Sequence, residues 1–278
     1  MQTDFKFGGK LASEFGLMIG YIGGAPGEEI IAAGTELNLN QVSVRHGNKF
    51  LTTDTTYDSP IEKTFQVFKF SCEDGGLQTL SLDEKRKISR WLLQKEPQIL
   101  ELIGDEEDED FSRYIFEGTF VGFSEIFYYD ECVGLELHFI SNRPYAIGKM
   151  ITRTIVADTT DFEYVFNDVS DEVGHIYPSK LSIIFDEECD FKLINYIENP
   201  NGRITEIKNC KAGETITFTD SLIISSSDET HEATLQNDFN FCFFRIANSY
   251  NNRSNKLLIS HPCTIKIEYN PVVKGVGL

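Results

Sequence analysis

The sequence contains no long apolar run and no basic leader. None of its hydrophobic stretches approaches the roughly 18 consecutive apolar residues that a membrane-spanning helix needs. Charges at Asp4, Lys6, Lys10 and Glu14 interrupt the first segment, MQTDFKFGGKLASEFGLMIG. A signal peptide would need an unbroken apolar stretch behind a basic start. We therefore expect neither a secretion signal nor contact with a membrane.

Positive charge is also scarce. The 278 residues include 25 Lys and Arg against 44 Asp and Glu, which gives a formal net charge of −19. The shortage runs along the whole chain, because residues 1–150 carry a net charge of −11 and residues 151–278 carry −8. Acidic surfaces repel phosphates, so neither nucleic acid nor an anionic membrane is expected as a direct ligand.

Cysteine and histidine are present without the spacing of a functional site. The six cysteines stand 21 to 60 residues apart, with no CxxC pair and no cysteine–histidine pairing. Several lie in apolar runs such as NFCFFRI, which favours small buried side chains in a reducing cytosol. The five histidines are scattered, and surface or turn roles are expected for them. We predict no metal site and no cofactor.

Catalytic motifs are missing as well. The chain has no phosphate-binding loop, GxSxG, HExxH or EF-hand pattern. Carboxylates cluster in DEECD (186–190) and GDEEDED (104–110), and glycoside hydrolysis does require two carboxylates. Such a pair flanks a cleft, whereas contiguous carboxylates repel one another and favour a solvated loop. The longer run also lacks the glycine turn of a calcium loop. We therefore predict that the protein is not an enzyme.

What the sequence does contain is β-strand alternation, interrupted by one helix. TELNLNQVSV, FLTTDTTY and KTFQVFKF alternate with period two between clusters of Gly, Asp and Asn. Ser81 and Glu84 then form a capping-box pattern, and Trp91 lies on the apolar face that follows. Pro97 disfavours helical geometry in the residue before it. These signals predict a helix over about 81–96 that covers one face of a sheet.

Beyond the helix the strand pattern returns and divides the chain in two. YIFEGTFVGFSEIFYY and CVGLELHFISNRPYA predict a β-hairpin with its turn at Asp130–Glu131, near the end of a first domain over residues 1–150. Residues 151–278 contain eight short apolar strands, from KLSIIF to TIKIEY, at intervals of about a dozen residues. This spacing predicts an antiparallel sandwich with no helix.

Two polar segments are candidate functional sites. The polar loop NSYNNRSN offers an aromatic ring and amides that suit a sugar, and its candidate residues are Asn248, Tyr250, Asn251 and Asn252. The alternative is a plain hairpin loop, which the absence of tryptophan from the second domain favours. The other segment is the acidic run, Asp105, Glu106, Glu107, Asp108, Glu109 and Asp110.

The order of these pieces resembles a known family. A helix carrying ISRWLL, the acidic loop and the long hairpin are followed by INYIENPNGRITEIKNCKAGETITFT, FFRIANSYNNRSNKLLIS and TIKIEY. Over nearly the whole chain, this arrangement is similar to the distal tail protein family of phages that infect Gram-positive bacteria. The resemblance implies a mainly β fold. An N-terminal β-sandwich-like ring domain with one helix would precede a C-terminal galectin-like antiparallel β-sandwich.

The resemblance also implies a structural role in the virion tail. Members of the family form a hexameric ring that joins the tail tube protein to the tail-tip or tail-associated lysin protein and to receptor-binding proteins. Such a protein is assembled in the host bacterial cytoplasm, and DNA passes through the lumen of its ring without specific binding. The acidic run is then a candidate for lining the lumen. The alternative function is a carbohydrate-binding tail-tip module that attaches to host cell-surface glycans.

Overall fold

The chain folds into two compact units, Met1–Gly148 together with Val273–Leu278, and Lys149–Val272. Antiparallel strands dominate both units, so the predicted mainly β fold is confirmed. Within the described residues, no helix is both long enough and apolar enough to cross a membrane. The computed structural model describes residues 2–20, 36–44, 47, 49–71, 76–104, 114–197 and 202–275.

One large antiparallel sheet organises the first unit. The described strands of this unit are β1 (Gln2–Phe7), β2 (Lys10–Leu11), β3 (Leu17–Ile19), β4 (Leu37–Ser43), β5 (Phe50–Tyr57), β6 (Glu62–Ser71), β7 (Gly76–Leu77), β8 (Gln98–Gly104), β9 (Tyr114–Tyr128), β10 (Glu131–Ser141) and β11 (Ala146–Gly148). The sheet follows the order β2-β1-β8-β9-β10-β6-β3, with β7 beside β6 and β11 beside β9. Strands β4 and β5 pair only with each other among the described strands.

Phenylalanines fill the core of this unit. Phe5, Phe7, Phe65, Phe120 and Phe139 come from four strands, and each is at most 1% exposed. The ring centroids of Phe7 and Phe120 lie 4.9 Å apart, and those of Phe120 and Phe139 lie 5.3 Å apart, both in edge-to-face geometry. Because alternate residues of a strand share a face, the period-two pattern of the sequence places these rings on one side of the sheet.

The predicted capped helix is present as α1 (Leu82–Leu92). The main-chain N–H of Glu84 donates to Ser81 Oγ at 3.3 Å, and the N–H of Ser81 donates to Glu84 Oε2 at 2.9 Å, so the capping box is confirmed. The predicted end at residue 96 is wrong, because Leu93 already leaves helical geometry with φ −82° and ψ 66°. The chain needs the intervening residues to reach β8, which begins at Gln98.

The long hairpin of β9 and β10 is also confirmed, with its turn one residue earlier than predicted. Tyr129 and Asp130 form the two-residue loop, with φ of 47° and 65°. Two positive φ values in succession match the right-handed twist of the flanking strands. In β10 the side chains of Leu135 and Leu137 are fully buried, and His138 lies on the opposite face.

The second unit is the predicted antiparallel sandwich. Its strands are β12 (Ile151–Ala157), β13 (Phe162–Asn167), β14 (Gly174–Ile176), β15 (Lys180–Phe185), β16 (Cys189–Asn195), β17 (Arg203–Cys210), β18 (Thr215–Thr219), β19 (Ile224–Ser226), β20 (Ile246–Asn248), β21 (Ser254–Ile259) and β22 (Cys263–Tyr269). One sheet has the order β12-β22-β15-β18-β19 and the other β13-β21-β16-β17, with β14 and β20 as a separate pair. Ile183 and Ile265 of the first sheet share one core with Phe191 and Ile259 of the second.

Two short helices contradict the expectation of a helix-free second domain. They are α2 (Glu229–Glu232) and α3 (Leu235–Asp238). Asp228 begins α2, because its carboxylate accepts hydrogen bonds from the main-chain N–H groups of Thr230 and His231, each at 2.9 Å. Single-turn helices are too short to show a 3.6-residue period. The segment NFCFFRI, expected to be a strand, contributes only its last residue, Ile246, to β20.

The cysteines and the C-terminal segment complete the fold. Cys132, Cys210 and Cys263 are buried free thiols, whereas Cys189 and Cys242 are partly exposed. Near the C-terminus, the chain forms a short strand, β23 (Val272–Val273). Val273 packs against the core of the first unit, and the carbonyl oxygen of Val272 accepts a 2.9 Å hydrogen bond from Asp171 N.

Candidate functional site

The acidic run lies outside the described residues. Asp105–Asp110 therefore remain a prediction, and so does the surface or turn role expected for His46, which also lies outside the described residues. On either side of the run, β8 ends at Gly104 and β9 begins at Tyr114, and these two strands pair with each other. The run thus connects neighbouring strands of the large sheet in the first unit.

The polar loop that is a candidate glycan site is a tight turn. Ser249 and Asn252 form an isolated antiparallel bridge, with a 2.8 Å hydrogen bond from Ser249 N to the carbonyl oxygen of Asn252. Tyr250 at the tip of the turn is 91% exposed, and Asn251 and Asn252 are exposed as well. This turn presents an aromatic ring to solvent.

Asn248 differs from its three neighbours because it is buried. Its side-chain amide donates to Asp168 Oδ2 and, at 3.0 Å, to the carbonyl oxygen of Glu172. Its Oδ1 accepts a 3.2 Å hydrogen bond from Gly174 N. These bonds help to fix the pairing of β20 with β14, so Asn248 has a structural role, and Tyr250, Asn251 and Asn252 are the exposed candidates of this loop.

A second feature is an apolar hairpin arm made of β4 and β5. Every residue of the arm is exposed apart from the partly exposed Tyr57. The exposed side chains include large hydrophobic ones, all between 53% and 70% exposed: Leu37, Leu39, Val42, Phe50 and Leu51.

The arm has no core of its own. Its register places Leu37 opposite Tyr57 on one face of a two-stranded ribbon, which Leu39 shares, and Val42 opposite Leu51 on the other face. An isolated two-stranded hairpin is at best marginally stable in water. Contiguous exposed apolar side chains in a folded protein mark an interaction surface. The arm therefore has the composition of a surface that another protein covers.

The third feature is a buried polar cluster in the second unit. His231, which lies in α2, is 3% exposed, and Glu214 is equally buried. The imidazole Nδ1 lies 2.6 Å from Glu214 Oε1, which also accepts a hydrogen bond from Ser226 Oγ. The other oxygen of Glu214 accepts a 2.8 Å hydrogen bond from Lys211 N. The carboxylate thus receives several hydrogen bonds while buried.

The opposite side of the imidazole faces Asp238. His231 Nε2 lies 3.8 Å from Asp238 Oδ2, too far for a hydrogen bond, and this buried nitrogen has no hydrogen-bond partner. Asn209 Nδ2 donates to Asp238 Oδ1 at 2.8 Å and so holds the carboxylate in place. A cavity of about 470 Å³ adjoins the pair, and its lining is polar: Asn209, Lys211, Thr230, His231, Thr234, Asn237 and Asp238.

Sequence reasoning missed this cluster. The surface or turn role expected for the histidines is wrong for His231, because its ring is buried between two carboxylates. The three residues come from a strand connection, from α2 and from the end of α3, so no local motif marks them. Among the described residues, no three His, Cys, Asp or Glu side chains group together as a metal site.

The architecture and the comparisons together define a phage tail protein. The chain belongs to a phage tail protein family, because residues 1–143 match the family model described as phage tail protein N-terminal domain. Residues 145–269 match the model described as phage tail C-terminal domain. No curated protein matches the sequence.

Solved structures identify the fold more closely. The Dit protein of phage SPP1, described as a paradigm of the hub adsorption apparatus in phages infecting Gram-positive bacteria, superposes with a TM-score of 0.63 at 10% sequence identity. The match covers 97% of this chain and 99% of that one. A chain of the phage P2 baseplate matches with a TM-score of 0.50 at 9% identity, over 97% of this chain and 98% of the other. The resemblance to the distal tail proteins is thus confirmed at the level of the fold.

Proposed function

We propose that this phage tail protein is a ring-forming adaptor at the distal end of the tail. The observation that carries the proposal is the exposed apolar arm of β4 and β5, joined to a fold that spans the whole length of the SPP1 Dit chain. The exposed hydrophobic side chains of the arm must be covered by another protein surface, and the simplest candidate is a second copy of the same chain.

A ring follows if the arm docks on a different surface of the next copy. Contacts between two different surfaces repeat head to tail. They close into a ring when the rotation from one copy to the next divides a full turn into a whole number of steps. Six copies would satisfy the hexamer that the family resemblance implies. The arm's unpaired strand edges supply main-chain hydrogen bonds as well as apolar area.

The remaining partners follow from the position of such a ring. One face would bind the tail tube protein, and the other would bind the tail-tip or tail-associated lysin protein and the receptor-binding proteins. Assembly would take place in the host bacterial cytoplasm, and the finished ring would be part of the virion tail. No catalytic step is needed for this role.

The charge of the first part of the chain suits a DNA conduit. Six copies of residues 1–150, at −11 each, carry a total net charge of −66. A negative wall repels phosphates only over about 8 Å at physiological salt, so the carboxylates must line the lumen itself to act. Asp105–Asp110 are the candidate segment. DNA would then pass without specific binding.

Oligomeric state tests the proposal. Size exclusion with light scattering, alone and with the tube and tail-tip proteins, should give hexamers or stacked hexamers. Leu39→Lys and Phe50→Lys should reduce the assembly to monomers while leaving the circular dichroism spectrum unchanged. The matched control is Val165→Lys, because Val165 in β13 is 56% exposed against 53% for Leu39. A protein that stays monomeric beside both tail partners would contradict the adaptor role.

A second function rests on Tyr250. Its 91% exposed ring at a turn tip with two exposed asparagines suits the stacking of a sugar, so a carbohydrate-binding tail-tip module remains the alternative proposal. A glycan array probed with the purified protein tests it. Tyr250→Ala should abolish binding, and Tyr129→Ala, which removes another largely exposed ring at 85% exposure, should not.

A further inference from the structure

Two cysteines face each other where β16 and β17 pair. Cys189 at the start of β16 is the register partner of Cys210 at the end of β17. Directly opposite residues of an antiparallel pair have Cα atoms about 4.5–5.5 Å apart. A disulfide bridge requires a Cα separation of about 4.4–6.8 Å. The pairing of these strands therefore provides the backbone spacing that a bridge between the two residues needs.

A β-bulge turns both side chains towards the core. Ile207 is buried, and regular alternation would place Asn209 on the same face and Cys210 on the outer one. Instead, the register shifts just after Cys189, and Asn209 has a φ of 58°. The N–H of Asn209 donates a 3.0 Å hydrogen bond to Asp190 Oδ1, which holds the extra residue in place. Cys210 is therefore buried in the same core against which Cys189 packs.

Exposure decides which thiol reacts first. Cys189 is partly exposed, whereas Cys210 is only 2% exposed. The hydrogen bond from the Cys210 thiol also lowers the pKa of Cys189, and the thiolate is the form that attacks a disulfide. An external reagent therefore meets Cys189 first. The Cys210 thiol, which is close enough to hydrogen-bond to Cys189, can then reach the same sulfur atom.

The charge around Cys189 favours one class of reagent. Cys189 belongs to the segment DEECD, whose four carboxylates are all exposed: Asp186, Glu187, Glu188 and Asp190. Exposed carboxylates attract cationic reagents and repel anionic ones, over a range of about 8 Å at physiological salt. A small disulfide that carries ammonium groups should therefore reach Cys189 more readily than one that carries carboxylates.

We propose that Cys189 and Cys210 form an intramolecular disulfide by exchange with a small-molecule disulfide, most rapidly with a cationic one. The Cys189 thiolate attacks one sulfur of the reagent, so that a mixed disulfide forms and the first reagent thiolate leaves. Cys210 then loses its proton, and its thiolate attacks the sulfur of Cys189 and displaces the second reagent thiolate. Each leaving thiolate takes up one of the protons that the cysteines lose. Two protein thiols are oxidised, and one small disulfide is reduced to two thiols.

The second step should be the slower one at neutral pH. The hydrogen bond with Cys189 and burial both raise the pKa of Cys210. Formation of the mixed disulfide removes the Cys189 thiol from this hydrogen bond, so that burial remains as the cause. We expect closure of the bridge to accelerate as the pH rises, because more of Cys210 is then ionised.

The bond would fasten an edge strand of the sandwich. β17 stands at the end of its sheet, where β16 is its neighbour. A bridge between the two strands closes residues 189–210 into a covalent loop, which restricts the unfolded chain and stabilises the fold. The timing of the reaction rests on the proposed function, because the thiols would stay reduced during assembly in the cytosol and would meet disulfides in the released virion.

The experiment treats the reduced full chain with cystamine, a cationic disulfide, or with oxidised glutathione, an anionic one. Free thiols are then blocked with N-ethylmaleimide, and the protein is digested without reduction and mapped by mass spectrometry. We expect a transient adduct on Cys189, followed by a peptide pair linked through Cys189 and Cys210. At low salt cystamine should react at least about threefold faster, and added salt should narrow this ratio. The linked protein should melt about 5–10 °C higher than the reduced one.

Single variants separate the two steps. Cys210→Ala should stop at the mixed disulfide on Cys189, and Cys189→Ala should leave Cys210 unmodified. The matched control, Cys263→Ala, removes another buried thiol of the same core and should form the bridge as the wild type does.

The wild-type map decides the question even if a variant fails to fold. A lasting adduct on Cys189, a link from Cys189 to Cys263, or no reaction at all would overturn the proposal. Equal rates for the two reagents at low salt would overturn the electrostatic selection. None of these outcomes depends on ring formation, so a failure here is distinguishable from a failure of the adaptor role.

Discussion

The indole Nε1 of Trp91 donates a 2.9 Å hydrogen bond to the main-chain carbonyl oxygen of Phe7, 84 residues earlier in the chain. The same ring is stacked on Phe15 with centroids 4.3 Å apart, and on Phe5 with centroids 5.6 Å apart. One side chain thus joins the helix to the N-terminal strand and to the turn that follows it. This explains why a β-rich unit retains one capped helix, because α1 closes the apolar face of the sheet.

Removing this anchor should destabilise the first unit. Trp91→Phe keeps a ring but leaves the buried carbonyl of Phe7 without its donor, which should cost about 1–3 kcal/mol. Trp91→Ala should cost about 3–5 kcal/mol, because it also leaves a cavity. Urea denaturation followed by far-ultraviolet circular dichroism measures both. Leu93→Ala, just past the helix and 44% exposed, should change stability by less than about 0.5 kcal/mol. Equal effects of Trp91→Ala and Leu93→Ala would contradict the anchoring role.

The capping box should make stability depend on acid pH. Lys69 Nζ lies 2.8 Å from Glu84 Oε1, and together with Ser81 it lowers the pKa of Glu84 from its usual 4.5 to about 2. A lowered pKa means that the ionised form is favoured by folding. Its contribution is therefore complete above about pH 4.5 and is lost as the pH falls towards 2. Because about a third of the side chain is exposed, we expect a contribution of about 1 kcal/mol.

The measurement compares Glu84→Gln with the wild type at several pH values. The stability difference between them should be largest near neutral pH and should shrink between pH 4.5 and 2. Glu96→Gln, at an exposed position after the helix, is the control and should show no such change. A difference that does not vary with pH would mean that the ionisation of Glu84 plays no part in capping the helix.

The sequence was most informative where structure depends on neighbours along the chain. Ser81 and Glu84 are three residues apart, so their capping box could be predicted, and period-two alternation marked KLSIIF and TITFT with their observed bounds. Helix α1 ends early because β8 must pair with β1, and this pairing joins residues about a hundred positions apart. Such a demand leaves no local signal.

The functional features were harder to predict for two different reasons. TELNLNQVSV was correctly predicted as a strand, but alternation alone does not tell whether a core or a partner covers the apolar face of Leu37 and Leu39. His231 meets Glu214 and Asp238 only because two single-turn helices fold back beside β17 and β19. The positions of these three residues in the sequence give no indication that the fold brings their side chains together.

Two facing cysteines should differ in reactivity. Cys189 and Cys210 are cross-strand partners in β16 and β17. The Cys210 thiol hydrogen-bonds to Cys189, which lowers the pKa of Cys189 and, together with burial, raises that of Cys210. Burial also raises the pKa of Cys263 to about 12. Since the thiolate is the nucleophile, Cys189 should be alkylated well before Cys210 and Cys263.

Mass spectrometry of iodoacetamide labelling over time measures these rates. Cys210→Ala should slow the alkylation of Cys189, because the thiol that stabilises its thiolate is lost. Cys263→Ala, which removes another buried thiol, serves as the control and should leave the Cys189 rate nearly unchanged. A faster reaction of Cys189 in the Cys210→Ala protein would show that steric access, not the hydrogen bond, governs its reactivity.

Neutralising the acidic run should slow DNA ejection. Replacing the six carboxylates of 105–110 by Asn and Gln removes the proposed repulsion between the lumen wall and DNA. Tails built with this variant should eject DNA more slowly, most clearly at low salt where screening is weakest. The control neutralises the four carboxylates of 186–190 in the second unit. Unchanged ejection at every ionic strength would reject the lumen position for this run and leave the ring proposal intact.

The last prediction concerns the division of the chain near residue 150. Lys149 and Met150 are exposed, so trypsin should cut the native protein after Lys149.

A chain of residues 149–272 should fold alone, because these residues form one compact unit. Val272 belongs to this unit, since its carbonyl oxygen accepts a hydrogen bond from Asp171 N and its N–H donates one to Ser170 Oγ at 3.3 Å. Ending the chain at Tyr269 should cost about 1–3 kcal/mol, since it removes these bonds and a buried valine. Extension to Leu278 should add nothing, because Val273 packs against the other core. Thermal unfolding of the three lengths measures this, and equal melting temperatures for chains ending at 269 and 272 would place the edge of the unit before β23.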